Sequence, residues 1–327
     1  NVLCFEEDNH GKIWIGTRNG GLNILDKASF LLKDKKLSLK WFLPKTDGTS
    51  VYNRTVSCIK KDIKGNMWLG TSTGVNYVNP KDEPVKLLQN NISNEQTISH
   101  NRIGSLALAS DDRIWIGTDG GGLDLLNPEN GKFTHYRHAE NNPKSLSNNY
   151  IISILEDSKK RVWAGTYQGG LNLLDKVSGN FKKYLLEHDI RVIFEDNSKQ
   201  IWIGTNRGGL YKFNEEKDTF DYIELLGQID IRDIEQGIEN NLWLATFGDG
   251  IIRYNPLKNN AKYYNTDNTK GLQTNVFFSL LPLSNGELML GSRYKGLIRL
   301  NPKTKNISVF TEENGLSNNT INSIVKE

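Results

Sequence analysis

Arg161-Val162-Trp163-Ala164-Gly165-Thr166, followed by Tyr167-Gln168-Gly169-Gly170-Leu171, decides the fold, because the chain keeps returning to it. The same six positions read Lys12-Ile13-Trp14-Ile15-Gly16-Thr17, Asn66-Met67-Trp68-Leu69-Gly70-Thr71 and Arg113-Ile114-Trp115-Ile116-Gly117-Thr118. They recur as Gln200-Ile201-Trp202-Ile203-Gly204-Thr205 and Asn241-Leu242-Trp243-Leu244-Ala245-Thr246, and end in a worn copy, Glu287-Leu288-Met289-Leu290-Gly291-Ser292. Successive centres at 14, 68, 115, 163, 202, 243 and 289 stand 54, 47, 48, 39, 41 and 46 residues apart. A period of about 40 to 50 residues suits a four-stranded propeller blade.

Each copy divides into four short apolar runs. Val2 to Glu7, Val56 to Lys61 and Ile151 to Glu156 typify the first, and the Trp motif is the second. Leu22 to Leu25, Leu171 to Leu174 and Leu297 to Leu300 typify the third; Phe133 to Tyr136, Phe181 to Tyr184, Phe220 to Tyr222 and Ile307 to Phe310 typify the fourth. No helical period is present. Asp8-Asn9-His10-Gly11 and Asp62-Ile63-Lys64-Gly65 read as hairpins in which Asp accepts backbone hydrogen bonds and the last residue turns left-handed. Asp112, Lys160, Lys199, Asn240 and Gly286 hold that last position elsewhere, so Gly is favoured there without being required. Pairs such as Gly20-Gly21, Gly169-Gly170 and Gly208-Gly209 make the second turn, and Asn-Pro steps such as Asn127-Pro128 and Asn301-Pro302 end the third strand. A blade cannot bury both its faces alone, so blades must stack around an axis. The expectation is an all-β chain: one seven-bladed β-propeller over 1–327, four antiparallel strands per blade, with 318–327 opening a further repeat of a longer parent chain.

Composition excludes several classes. Of 327 residues 37% are hydrophobic, and no apolar run is long enough for a membrane helix. The 41 basic and 38 acidic residues leave a net +3 without a run of five or six like charges, which argues against nucleic acid as a partner. Two cysteines cannot frame a disulfide scaffold. Cys4 and Cys58 fall at one point of neighbouring first strands, which splay apart, so they are expected to stay unpaired.

Catalytic and metal signals are weak. Gly70-Thr71-Ser72-Thr73-Gly74 matches the G-x-S-x-G elbow by letters, but Val75-Asn76-Tyr77-Val78 continues as a strand where the elbow needs a helix. Gly120-Gly121-Gly122 opens no helix either, so it is a turn rather than a phosphate loop. His135 and His138, three apart on a strand, point to opposite faces, and neither a metal nor another cofactor is expected. Glu6-Glu7, Asp111-Asp112 and Glu215-Glu216 are taken as solvated residues at or beside turns. Trp14, Trp68, Trp115, Trp163, Trp202 and Trp243 share one repeat position within an apolar strand and are assigned to packing between blades. Trp41 lies outside the motif, but Leu37, Leu39, Trp41 and Leu43 alternate as a packed outer strand would.

The run Ser145-Leu146-Ser147-Asn148-Asn149-Tyr150-Ile151-Ile152-Ser153-Ile154-Leu155-Glu156-Asp157, with the Trp-Gly-Thr-Gly-Gly-Leu pattern through Leu171, resembles the two-component regulator propeller repeat. Glu313-Asn314-Gly315-Leu316-Ser317-Asn318-Asn319 is similar, and the likeness runs along essentially the whole chain. Such propellers belong to hybrid two-component sensors of gut bacteria. The resemblance implies a periplasmic part of an inner-membrane receptor with two propellers and a small β-sandwich, then a membrane helix, a histidine kinase and a DNA-binding regulator. It further implies an oligosaccharide ligand, control of glycan-utilisation genes, a homodimer in the full receptor, and partners in the second propeller and signalling domains of the same chain. This propeller itself would be no enzyme. The alternatives are a propeller lyase or hydrolase, marked by a His, Arg or metal cluster converging on the channel, and an interaction scaffold, marked by a broad apolar patch.

Strand alternation locates the expected binding face. Turns between second and third strands emerge at the same end as the loops between blades, opposite the Asp-x-x-Gly hairpins. That rim carries the candidate ligand residues Arg18, Asn19, Tyr167, Gln168, Arg207, Phe247, Arg293 and Tyr294, beside Asp119, Asn206, Asp249 and Lys295. The interblade loops add Arg54, Arg102, Tyr150, His188 and Asn275. Aromatic faces beside arginines and amides suit a sugar ring, and several arginines suit a uronate or sulfate.

Overall fold

The structure is a computed structural model that describes residues 2–26, 39–44, 50–79, 86–314, 316 and 318–321. Leu37 and residues 322–327 lie outside these. Seven sheets each hold four consecutive strands paired in chain order, all antiparallel. The inner strands are Val2–Glu7, Val56–Lys61, Ile103–Leu108, Ile151–Glu156, Ile190–Glu195, Ile231–Gln236 and Phe277–Pro282, here blades 1 to 7. This is the seven-bladed propeller expected from the repeat.

One acidic side chain organises most hairpins. In blade 1 one oxygen of Asp8 accepts from the backbone N–H of His10 at 2.8 Å and Lys12 at 3.0 Å, while the other accepts the Trp14 indole N–H at 2.8 Å. Asp62, Asp157 and Asp196 hold Trp68, Trp163 and Trp202 the same way. Blade 3 has Ala109 there, and Trp115 donates instead to Glu156 of blade 4 at 3.0 Å. These bonds satisfy the one polar atom of an otherwise apolar ring, which lets the indole enter the core without an orphaned donor. All six motif tryptophans are buried as expected, none more than 5% exposed. The last hairpin residue has positive φ in all seven blades, from 56° at Asn240 to 83° at Gly65 and Gly286.

The other turn is equally uniform. The hydroxyl of Thr17, Thr71, Thr118, Thr166, Thr205, Thr246 or Ser292 donates to the carbonyl of the glycine closing the turn, at 2.7 to 2.9 Å. At Gly170, φ is 75° and a Cβ would stand 2.5 Å from the carbonyl oxygens of Tyr184 and Leu185, so no side chain fits. Between blades, Trp163 of blade 4 packs with Ile190, Ile193 and Phe213 of blade 5, and Phe5 and Ile15 of blade 1 meet Met289 and Ile321. Inner strands are also tied across blades: Ser153 Oγ donates to Ile190 O at 3.1 Å, and Asp233 accepts from Leu280 N–H at 2.9 Å.

Two expectations need correction. Trp41 sits on the outer strand Leu39–Phe42 but is 66% exposed. That strand edges its sheet, and of its alternating side chains it is Phe42 that turns into the blade 1–2 cluster. Glu6 and Glu7 are not solvated turn residues; both lie within the first inner strand and are buried, and burial pushes the Glu6 carboxyl above its usual range. Cys4 and Cys58 are free thiols; burial raises both, Cys58 to about 12.

Candidate functional site

Every inner strand carries a bulge at its second residue, where the ladder to the motif strand slips by one. A bulge takes its residue out of the pairing and re-aims it. In blade order these residues are Leu3, Ser57, Gly104, Ile152, Arg191, Arg232 and Phe278, and all seven border the mouth of the ring. The mouth has two lobes that share Leu3, Arg18, Ile152 and Arg191, one of about 1030 Å³ and one of about 560 Å³. Positions identical in register thus range from apolar through hydroxyl and aromatic to cationic, whereas the motif residues beside them barely vary.

The larger lobe is bordered by Arg18, Asn19, Tyr167 and Gln168 from the turns, with Ser57, Ser72, Arg102, Asp119 and Tyr150. Arg102 and Asp119 form an ion pair at 2.7 Å. Ser72 Oγ donates to Asn53 Oδ1 at 2.8 Å, and Gly74–Val78 is a strand, so the elbow reading has no structural support. The smaller lobe is bordered by Arg18, Arg191, Arg232, Arg293, Phe247, Phe278 and Tyr294, together with Leu3, Ile152 and Thr320.

Seven of the eight candidate residues therefore border the mouth. Arg207 is exposed but borders neither lobe. Among the interblade residues, His188 bonds the Tyr211 hydroxyl at 3.0 Å, Arg54 offers its carbonyl to Gly21 N–H at 2.7 Å, and Asn275 offers its carbonyl to Gly248 and Gly250. These three brace loops.

Arg191 and Arg232 are missing from the sequence-based set. Each follows an aspartate by two residues, in Asp189-Ile190-Arg191 and Asp230-Ile231-Arg232, and that repeated triplet was the signal to read. Arg191 pairs with Asp189 at 3.3 Å and Arg232 with Asp230 at 2.6 Å. Asp189 is itself held by Gln168 N–H at 2.8 Å and Asn206 Nδ2 at 2.9 Å. The Nε of both arginines and Oδ1 of Asp230 are buried without a protein partner. Burial first, and the neighbouring Arg232 second, pull the Arg191 pKa below its usual value. The Arg232 guanidinium lies 4.9 Å and the Arg293 guanidinium 5.4 Å from the Phe247 ring centroid, and Arg293 also lies 4.8 Å from Tyr294. The aromatic π-faces thus hold like charges in one lobe.

Among the described residues no group of three His, Cys, Asp or Glu side chains converges. His135 on its outer strand bonds Asp124 at 2.7 Å and the Glu95 carbonyl at 2.7 Å, and the Asp124 carboxylate raises its pKa. His138 bonds the Leu146 carbonyl.

The molecule is thus a propeller with a basic, aromatic-lined mouth. Residues 1–19, 97–120, 145–168 and 184–207 match the two component regulator propeller family. No curated protein matches by sequence. Among solved structures, the extracellular domain of a protein described as a hybrid two component system of B. thetaiotaomicron is similar at TM-score 0.68 and 20% identity, covering 100% of this chain and 49% of that one. A second such domain from B. thetaiotaomicron gives 0.52 at 20% identity, over 94% and 48%. Virginiamycin B lyase from Staphylococcus aureus gives 0.59 at 16% identity, over 80% and 83%. The chain therefore spans about half the length of the B. thetaiotaomicron domains, and these likenesses establish the fold.

Proposed function

We propose that this propeller is a ligand-sensing module of a hybrid two-component sensor, outside the cytoplasm, and that its ligand is an oligosaccharide held at the mouth. The observation that carries the reading is the bulge ring: seven positions of equivalent register bear Leu, Ser, Gly, Ile, Arg, Arg and Phe, and all seven border the mouth. Scaffold positions repeat because packing repeats; positions that diverge around a shared cavity are free to match a ligand. The lobes together accommodate more than a monosaccharide, and their mixture of Tyr, Phe, Arg, Asn and Gln offers flat faces and hydrogen-bond donors to a sugar chain. On this reading a parent chain carries the histidine kinase, the membrane anchor, a second propeller and dimer contacts, and the output is transcription of glycan-utilisation genes.

Screening the chain against a glycan array, followed by calorimetry, tests this. Binding is expected, and Arg18→Ala and Tyr167→Ala are expected to weaken it with folding intact; an array without a single binder would overturn the reading. A second reading, a glycan lyase, draws on the arginine cluster at the channel and on the lyase fold neighbour. It predicts an unsaturated product absorbing in the ultraviolet on incubation with the bound glycan, whereas the sensing reading predicts recovery of the glycan intact.

A further inference from the structure

The two lobes of the mouth differ in charge. The larger has three arginines, Arg18, Arg102 and Arg191, and one carboxylate, Asp119, which is paired with Arg102, among hydroxyls, amides and tyrosines. The smaller has four arginines on its wall, Arg18, Arg191, Arg232 and Arg293, and no carboxylate. Asp189 and Asp230, the partners of two of these arginines, are absent from that wall. Each aspartate accepts from Nη2 of its guanidinium, and Nε is buried without a hydrogen-bond partner. A guanidinium presents five N–H donors in a fixed fork, so four such groups on a wall without a carboxylate offer a dense set of donors to acceptor oxygens. Arg293 has no carboxylate partner among the described residues and donates to the Tyr294 hydroxyl at 3.1 Å.

We infer that the smaller lobe is an anion seat, and that Arg191 and Arg232 anchor a carboxylate or sulfate group carried on the oligosaccharide, with Arg293 closing on it from blade 7. This inference rests on the oligosaccharide reading and narrows it to acidic glycans. Planar, forked recognition of an oxyanion is the task for which Arg exceeds Lys. The aspartates at the second positions before each arginine hold the forks in place. Phe247, within reach of both Arg232 and Arg293, offers its π-face to both charges before the anion arrives.

The test uses the chain as it stands, with uronate- and sulfate-bearing oligosaccharides, their methyl-esterified or desulfated counterparts, and inorganic sulfate as probes in calorimetry. The acidic forms are expected to bind and their neutralised counterparts to bind at least about tenfold more weakly, with affinity falling as salt rises. Arg293→Gln, which orphans no carboxylate, and the charge-balanced pair Asp230→Asn with Arg232→Gln are each expected to cost about tenfold or more toward acidic probes. Arg207→Gln, on the same rim but outside the cavity, is expected to leave binding unchanged. Equal affinity for acidic and neutral forms, or full affinity in both variants, overturns the anion seat while leaving oligosaccharide binding in place. Binding of inorganic sulfate without any sugar keeps the seat and sinks the oligosaccharide. Binding of neither removes both.

Discussion

The two ends of the ring solve different problems. At the hairpin end, four blades use the same carboxylate to hold two backbone N–H groups and an indole, and the substitute in blade 3 restores the indole bond from the neighbouring blade. At the mouth, the seven bulge positions bear Leu, Ser, Gly, Ile, Arg, Arg and Phe. Sameness at one end records a packing requirement met in five blades by a carboxylate bonded to the motif indole. Difference at the other records freedom from that requirement, and the arginines that line the smaller lobe tell where that freedom was used.

Substitutions can break this contrast, the largest effects first. Trp163 is fully buried and contacts both Tyr184 and Phe213, so Trp163→Ala is expected to cost about 3–5 kcal/mol in denaturant unfolding. Tyr167→Ala at the mouth is expected to shift stability by less than about 0.5 kcal/mol. Equal losses would erase the distinction between the ends. Asp157→Ala strips the acceptor from the backbone N–H groups of Lys159 and Arg161, from the Arg161 guanidinium and from the Trp163 indole, and is expected to cost about 2–4 kcal/mol. Blade 6 sharpens the point. Gly237 occupies the aspartate position there, and a Cβ on it would lie 2.4 Å from Trp243 Nε1, so Gly237→Asp should destabilise rather than supply the missing acceptor.

Asp233, next to the bulge residue Arg232, gives a pH signature. Burial pushes its pKa from 3.8 up to about 7 in the folded chain. Below the lower value both folded and unfolded states carry the proton. Between the two values the folded state keeps a proton that the unfolded state has lost, so this group's contribution to stability falls as pH rises through that window and is level above about 7. Asp233→Asn is expected to flatten that slope in urea titrations from pH 4 to 8; an unchanged slope would assign it to other groups. A small stabilisation is expected at the hairpins. Lys160 and Lys199 hold φ of 61° and 66°, and replacing either with Gly should stabilise by about 0.5–1 kcal/mol, the relief of left-handed strain less the added freedom of the unfolded chain.

Much of this architecture was readable from the repeat. Inner-strand bounds such as Val56–Lys61 and Ile151–Glu156, and the left-handed residues at Asp112, Lys160, Lys199 and Asn240, follow from comparing seven copies. The second bond made by the hairpin aspartates was not, since turn chemistry alone already accounts for an Asp there. Trp41 misled because alternation marks a strand without saying which face is covered. The site was half legible. Turn residues such as Arg18, Phe247 and Arg293 stand out as loop positions, whereas Arg191 and Arg232 sit inside strands whose period of two assigns them to a face, and only a bulge turns them to the mouth.

Hydrogen–deuterium exchange with the acidic oligosaccharide that binds tightest tests the central claim most directly. The account predicts slowed exchange in peptides spanning Asp189–Val192, Asp230–Asp233, Phe247–Gly250 and Arg293–Gly296, with no change at the hairpins around Asp62–Asn66 and Asp157–Arg161. Protection at those hairpins with none at the mouth would contradict it.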